Sequence, residues 1–287
     1  MSDSSLRSAA ITVAELLRSG RSTLERSDSP ALDAELLLAG ALKTDRAALY
    51  REPDLAVPAQ TAAQFRRNLA VRASGRPIAQ ILGHAEFWSL QFDVDDHVLI
   101  PRPETEQLVE MAIARTRPAA RIADLGTGSG AIAVAISREV AGVQLIATDY
   151  STAALRVAAR NASRLDAQQI AFVRTDWLAG FADGCLDLIV SNPPYIDAAD
   201  PLLTESDIRF EPLAALAAGP DGLDAIRAIV REAPRVLKPG GELLLEHGYN
   251  QAAAVRDLMR RHRFVAVASK TDLGGHDRIT SGRTVAV

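Results

Sequence analysis

The chain has 287 residues and is 48% apolar, enough for one large core or one large and one small. A net charge of −4 excludes a general basic field for gripping duplex nucleic acid. The single Cys185 excludes an intrachain disulfide, and with five scattered histidines it offers no metal-ligand spacing. No apolar run reaches ~18 residues, so no membrane span is expected. The first residues carry an acid and no apolar signal core, which predicts the cytoplasm.

Residues 1 to about 75 read as helices only. Thr12 and Glu15 have capping-box spacing before Leu16 and Leu17. Ser29-Pro30 predicts a second helix running to Leu42. Thr44 is the expected cap of a short third helix ending near Tyr50. Pro58 opens a fourth, with Ala62, Phe65 and Leu69 on one face, and Gly75-Arg76-Pro77 stops it. Ten Lys and Arg against nine Asp and Glu make this no basic arm. It is either a small packing bundle or a platform for a protein partner.

From Ile81 the period changes. Residues 86–94 are rich in aromatics and predict part of a hairpin. In Ile100-Pro101-Arg102-Pro103-Glu104-Thr105-Glu106 the acids sit where a helix N-terminus favours them. Arg121–Leu125 predicts a buried strand, Gly126-Thr127-Gly128-Ser129-Gly130 a tight turn, and residues 131–140 a helix. Such a turn brings backbone close to a nucleotide-type ligand, although Gly126, Gly128 and Ala131 also fit a dinucleotide fingerprint.

A second strand over 144–148 ends in Asp149, 23 positions after Gly126, where an acid can accept ribose hydroxyls. Ser151 caps the next helix. A third strand over 169–173 precedes Asp176, which can accept from an adenine amino group, and Trp177, which can stack on the ring or belong to the core. Cys185 is expected to pack beside the fourth strand.

That fourth strand runs over 186–190 and delivers Ser191-Asn192-Pro193-Pro194-Tyr195. Two prolines cannot continue a central strand, so the chain must turn at the carboxyl edge, where open α/β sheets bind ligands. The Asn192 side-chain oxygen and the Pro193 carbonyl can each accept one N–H of a planar NH2 group, with Tyr195 against its face. Residues 196–220 are long for a connection and suggest a lid or partner loop. A helix over 221–237, a Lys238-Pro239-Gly240-Gly241 turn, a fifth strand over 242–246, a helix over 251–262 and strands near 265–268 and 284–287 complete the reading. Alternating strands and helices predict a mostly parallel sheet.

Asp124 to Gly130, Asp149 and the proline corner together resemble the class I S-adenosylmethionine-dependent methyltransferases. From Leu32 onward, the chain is similar to the PrmC (HemK) family of release factor glutamine N5-methyltransferases. Ile81-Leu82-Gly83, Glu86-Phe87-Trp88, Ile100 to Glu106 and Glu211-Pro212-Leu213-Ala214-Ala215-Leu216 match its pattern. The resemblance implies an α/β, Rossmann-like fold with a seven-stranded, mostly parallel sheet and a small all-helical N-terminal domain. The expected domains are 1–76 for substrate recognition, 77–100 as an extended or hairpin linker, and 101–287 for methyl transfer.

It also implies S-adenosyl-L-methionine as cofactor, S-adenosyl-L-homocysteine as product, and no metal. Gly126, Thr127, Gly128, Ser129 and Gly130 would touch the methionine part. Asp149 would hold the ribose, and Asp176 and Trp177 would face the adenine. Asn192, Pro193, Pro194 and Tyr195 would hold the substrate glutamine, that of the Gly-Gly-Gln motif in class 1 peptide chain release factors. Asn192, Pro193 and Tyr195 are the expected catalytic residues, Asn192 also bordering the cofactor. The implied enzyme is cytoplasmic and monomeric, with neither nucleic acid nor membrane as partner.

The alternatives are a glutamine of a large-subunit ribosomal protein, which the corner cannot distinguish, and adenine N-methylation of nucleic acid, which lacks the basic groove it needs. An NAD-dependent dehydrogenase is disfavoured by the proline corner. A non-catalytic binding protein is disfavoured by the presence of Asn192. Glu104, Glu106, Glu211 and Glu246 have no role assignable from position alone.

Overall fold

The computed structural model describes residues 11–205 and 207–286. The chain divides into two compact units, residues 1–83 and 84–287. Residues 77–83 therefore group with the helical unit, and the hairpin that follows groups with the larger one.

The first unit holds α1 (Val13–Thr23), α2 (Pro30–Leu42), α3 (Arg46–Arg51), α4 (Ala59–Ala73) and α5 (Ile78–Leu82). The Thr12–Glu15 capping box forms, each partner's side chain accepting from the other's backbone N–H. Leu16, Leu37, Leu38, Phe65 and Leu69 build the core. α1 and its neighbours approach at Gly20, where a Cβ would come within 2.9 Å of the Phe65 ring and 3.0 Å of Ala34. The cap of α3 is Asp45 rather than Thr44: the Asp45 carboxylate accepts from the Ala48 N–H at 2.7 Å. An ionised acceptor at a helix N-terminus outcompetes a neighbouring hydroxyl.

The second unit opens with an antiparallel hairpin, β1 (His84–Phe87) and β2 (Leu90–Asp93). Its turn residues Trp88 and Ser89 both have φ of 54°, the positive values that two-residue hairpins require. Glu106 holds this turn by accepting from the Trp88 N–H at 2.6 Å. A short 3-10 turn, Pro103–Thr105, leads into α6 (Glu106–Arg115).

The chain then alternates: β3 (Arg121–Leu125), α7 (Ala131–Glu139), β4 (Gln144–Asp149), α8 (Thr152–Arg164), β5 (Ala171–Arg174) and β6 (Leu186–Ser191). After α9 (Leu202–Glu205) come α10 (Asp224–Val236), β7 (Leu237–Glu246), α11 (Ala252–Arg261), β8 (Val265–Thr271) and β9 (Asp277–Arg283). The seven-stranded sheet has the order β5-β4-β3-β6-β7-β9-β8. β9 alone runs antiparallel to its neighbours, so the mostly parallel sheet is as expected.

Successive strand residues enter opposite cores. Ile122, Leu188 and Leu244 pack with α6 and α7 through Leu108, Val109, Val134 and Ile136. Ala123, Ile189, Leu243 and Leu245 pack with α10 and α11 through Ile226, Ile229, Val255 and Met259. Burial on both faces explains why these strands read as unbroken apolar runs.

Two elements differ from the sequence reading. Lys238–Gly241 does not break the chain before the fifth strand; it lies inside β7, and the pairing to β6 jumps from Leu186–Leu237 to Leu188–Glu242. The extra residues form a bulge, which tolerates proline and glycine. The last strand is 277–283, not 284–287, and Val287 lies outside the described residues. Ile279 supplies its apolar burial, and Thr280, fully buried, bonds to His247 Nε2 and Ser269 Oγ at 2.8 Å each. A strand stabilised by satisfied hydroxyls carries little apolar periodicity for sequence reasoning to find.

Candidate active site

β3 and β6 are adjacent, but the chain leaves β3 toward one edge of the sheet and leaves β6 toward the other. Their carboxyl ends flank the crevice that such a reversal opens. The loop after β3 and the corner after β6 both border it.

In the loop, Gly126, Gly128 and Gly130 have φ of 68°, 54° and 84°. A Cβ on Gly130 would sit 3.1 Å from Ala158 Cβ on α8, so glycine lets α7 and α8 close together. A Cβ on Gly128 would meet nothing within 4 Å, and Gly128 lines a cavity of about 410 Å3. Gly126, Asp149, Asp176, Trp177, Asn192 and Pro194 line the same cavity. So do Tyr150, Leu99 and Ala215, which sequence reasoning did not single out. Thr127, Ser129 and Gly130 are also tied into the fold. The Thr127 hydroxyl donates to Asp124 Oδ2 at 2.6 Å, and the Ser129 carbonyl accepts from Asn161 Nδ2 at 2.9 Å.

Asp149 ends β4 with both carboxylate oxygens engaged. Oδ2 accepts from the Gly128 N–H at 3.0 Å and Oδ1 from the Ser151 N–H at 2.8 Å. Each oxygen has a further lone pair for a ligand hydroxyl. Trp177 has φ of 45°; it packs on the core and also walls the cavity. Asp124 is fully buried; burial pushes its carboxyl up to about 7 despite the Thr127 hydroxyl, and Oδ1 has no hydrogen-bond partner.

A second cavity of about 210 Å3 is lined by Arg102, Asn192, Pro193, Pro194, Tyr195 and Ile208, among others. Asn192, Pro194, Leu99 and Ala215 line both cavities, so the corner is where the two meet. The corner is anchored from below: the Ser191 hydroxyl donates to the Leu125 carbonyl at 2.7 Å. Asn192 Nδ2 donates to Thr105 Oγ1 at 3.0 Å, and Thr105 Oγ1 donates to Glu246 Oε2 at 2.8 Å. The Tyr195 hydroxyl donates to Glu246 Oε1 at 3.4 Å. Burial pushes the Tyr195 phenol well above its usual range and Glu246 up to about 7.

The unassigned acids thus acquire places. Glu246 sits under the corner, and Glu106 holds the hairpin turn. Glu211, buried, accepts from the Ile100 N–H at 2.8 Å and pairs with Arg102, tying the long 196–220 connection to the segment before α6. The ends of that connection are held together by the Ile196–Ala217 bridge and by the Ala198 N–H donating to the Gly219 carbonyl at 2.9 Å. Glu104 is exposed. Among the described residues, no cluster of three or more His, Cys, Asp or Glu is placed to hold a metal ion, and no helix is long and apolar enough to cross a membrane.

The donor set suits S-adenosylmethionine: an open glycine backbone, a carboxylate with spare lone pairs, an indole wall, and a volume within the usual range for small-molecule sites. Comparison with known proteins agrees. The PrmC N-terminal domain family matches residues 15–83, and the methyltransferase small domain matches residues 104–206. A release factor glutamine methyltransferase from Xylella fastidiosa is 48% identical over 254 residues, covering 88% of this chain and 92% of that one. One from Pseudomonas aeruginosa is 46% identical over 273 residues, covering 95% and 98%. A crystal structure of a methyltransferase from Pyrococcus furiosus shares the fold, with a TM-score of 0.53 at 16% identity over 77% of this chain and 98% of that one. With such identity sustained over nearly the full length of both chains, this chain belongs to the release factor glutamine methyltransferase family.

Proposed function

We propose that the protein methylates the side-chain amide nitrogen of the glutamine in the Gly-Gly-Gln motif of class 1 peptide chain release factors. The observation that carries this reading is Asn192, which lines both the larger and the smaller cavity with its Nδ2 already engaged by Thr105. With Nδ2 committed to Thr105, the orientation of the amide is set and its Oδ1 is an acceptor free for a ligand, which is what a planar NH2 needs.

Gly126, Gly128, Asp149, Asp176 and Trp177 would hold S-adenosylmethionine in the larger cavity. When bound, it supplies a methyl group already activated by its sulfonium. An amide nitrogen is a weak nucleophile; its conjugation is strong enough to give a rotation barrier of ~18–20 kcal/mol. The protein's task is therefore orientation and charge placement. Holding the amide in one attack geometry can contribute ~7–11 kcal/mol. Asn192 Oδ1 and the Pro193 carbonyl accept the two N–H bonds and so oppose the positive charge that develops on nitrogen. The Tyr195 ring adds ~0.5–2 kcal/mol if its face meets that charge. The residues lining both cavities belong to 84–287, which leaves the helical N-terminal domain to recognise the release factor, together with the 196–220 connection. The reading places this chemistry in the cytoplasm.

Intact release factors, large-subunit ribosomal proteins and nucleic acid, each incubated with enzyme and isotopically labelled cofactor, test this by mass spectrometry. The expected result is one added methyl on the Gly-Gly-Gln glutamine. Label only on ribosomal protein, or only on nucleic acid, would overturn it.

A further inference from the structure

We propose that Thr105 and Glu246 fix the orientation of the Asn192 carboxamide, and that Thr105 is the positioning residue reserving Asn192 Oδ1 for the substrate. This deepens the function proposed above and rests on it for the identity of that substrate.

The three groups come from distant parts of the chain. Ser191 pairs with Leu245 in the sheet, so Asn192 and Glu246 are the next residues of two adjacent parallel strands at their carboxyl edge. Thr105 enters from the 3-10 turn before α6, 87 residues from Asn192 and 141 from Glu246. Thr105 and Glu246 are 4% and 1% exposed, so bulk water cannot substitute for either.

The direction of the chain of hydrogen bonds follows from valence. An ionised carboxylate only accepts. Thr105 therefore spends its one hydroxyl proton on Glu246 Oε2, at 2.8 Å. Its oxygen can then only accept from the Asn192 amide, at 3.0 Å, so that amide must present Nδ2. The oxygen of the carboxamide is left for the cavity. A flipped amide would set Oδ1 against an oxygen with no proton to give, an arrangement that leaves acceptors unsatisfied. The other oxygen of Glu246 takes the Tyr195 hydroxyl at 3.4 Å, so one carboxylate supports both the amide and the ring of the corner.

The lock needs the charge. A protonated Glu246 can donate to Thr105 and release the hydroxyl to point at Asn192. The groups around Glu246 are Thr105 and Glu104 from the turn, Tyr195 from the corner and Arg278 from β9; burial outweighs the lowering influences and pushes its carboxyl up to about 7. Turnover at saturating cofactor should therefore rise with pH through about 7.

Thr105→Val keeps the shape and removes the hydroxyl. With release factor as substrate, kcat should fall roughly 10- to 100-fold, the factor for one buried polar partner left unmade. Cofactor affinity by calorimetry should hold within ~2-fold, which also reports folding. Thr105→Ser should recover most of the loss. Glu246→Gln should be slow and lose the acid limb of the pH profile. Unchanged kcat in a folded Thr105→Val, or a wild-type pH profile in Glu246→Gln, would overturn the inference while leaving the proposed function standing. The Asn192 side-chain amide resonance, assigned by its loss in Asn192→Ala, gives a readout free of turnover. It should be slow to exchange in wild type and Thr105→Ser and fast in Thr105→Val. Equal exchange in all three would overturn the inference even if the release factor proved not to be the substrate.

Discussion

Two buried glutamates, Glu35 in the helical unit and Glu246 in the larger one, are treated in opposite ways. Glu35, on α2 of the helical unit, accepts from Arg46 at 2.7 and 3.1 Å, from Arg21 at 3.3 Å and from the Tyr50 hydroxyl. Burial pushes its carboxyl up, but the Tyr50 and Arg46 hydrogen bonds and the two guanidinium charges outweigh it, and it lies below the usual range. Glu246, at the end of β7, is given only the hydroxyls of Thr105 and Tyr195, and burial takes it up to about 7. Asp124, under the glycine loop, is treated like Glu246. A buried acid with cations at hand is a structural tie. A buried acid left with neutral donors is a charge held at a cost to stability.

The largest effect should come from the group that Glu246 serves. Asn192→Ala should reduce kcat ~10²–10³-fold, the range for one preorganised group facing developing charge. Asp keeps the size and an acceptor oxygen of Asn, so Asn192→Asp should retain more activity than Asn192→Ala. The Thr105–Glu246 contact qualifies this, because the new side chain would place a second carboxylate on a hydroxyl with one proton. Asn192→Asp should therefore work best below pH 7, where Glu246 is protonated, the inverse of wild type. A pH–rate profile for each variant checks both statements.

Asp124→Asn tests the cost of an unpaired buried charge. The folded carboxyl titrates near 7 and its ordinary value is 3.8. The native state therefore binds the proton more tightly than the unfolded chain, and stability falls as pH rises from about 4 to about 7. Above that window the charge costs up to about 4 kcal/mol. Asp124→Asn should raise the urea midpoint at pH 8 and change little at pH 4. Equal shifts at both would show that the charge is not the cause.

Glu35→Gln is the mirror experiment. It leaves two arginines without their carboxylate and should destabilise the helical unit by about 1–3 kcal/mol, discounted because both guanidiniums are half exposed. Denaturant unfolding should show it across neutral pH, with cofactor affinity unchanged. The smallest effect is Tyr195→Phe. The hydroxyl contact to Glu246 is long at 3.4 Å, so kcat should fall less than ~3-fold, whereas Tyr195→Ala should be severe. Phe as poor as Ala would shift the weight from the ring to the hydroxyl.

What was legible in the sequence is what depends on near neighbours. Gly126 to Gly130 declares a turn because positive φ is a property of the residue itself. Asn192 declares a strand end because the prolines after it cannot pair. Asp149 and Trp177 follow at strand ends, and alternation of elements predicts the parallel sheet. The tertiary structure decided the rest. Thr105 looks like an ordinary first-turn residue until the register of β6 with β7 sets Glu246 beside Asn192. Glu211 has no visible task until the 196–220 connection folds back on Arg102. β9 hides because its burial is satisfied by hydroxyls rather than by apolar side chains. Periodicity and turn chemistry reach only a few residues along the chain. A hydrogen-bond relay among positions 105, 192 and 246 exists only once strand order and register have brought them to one edge of the sheet.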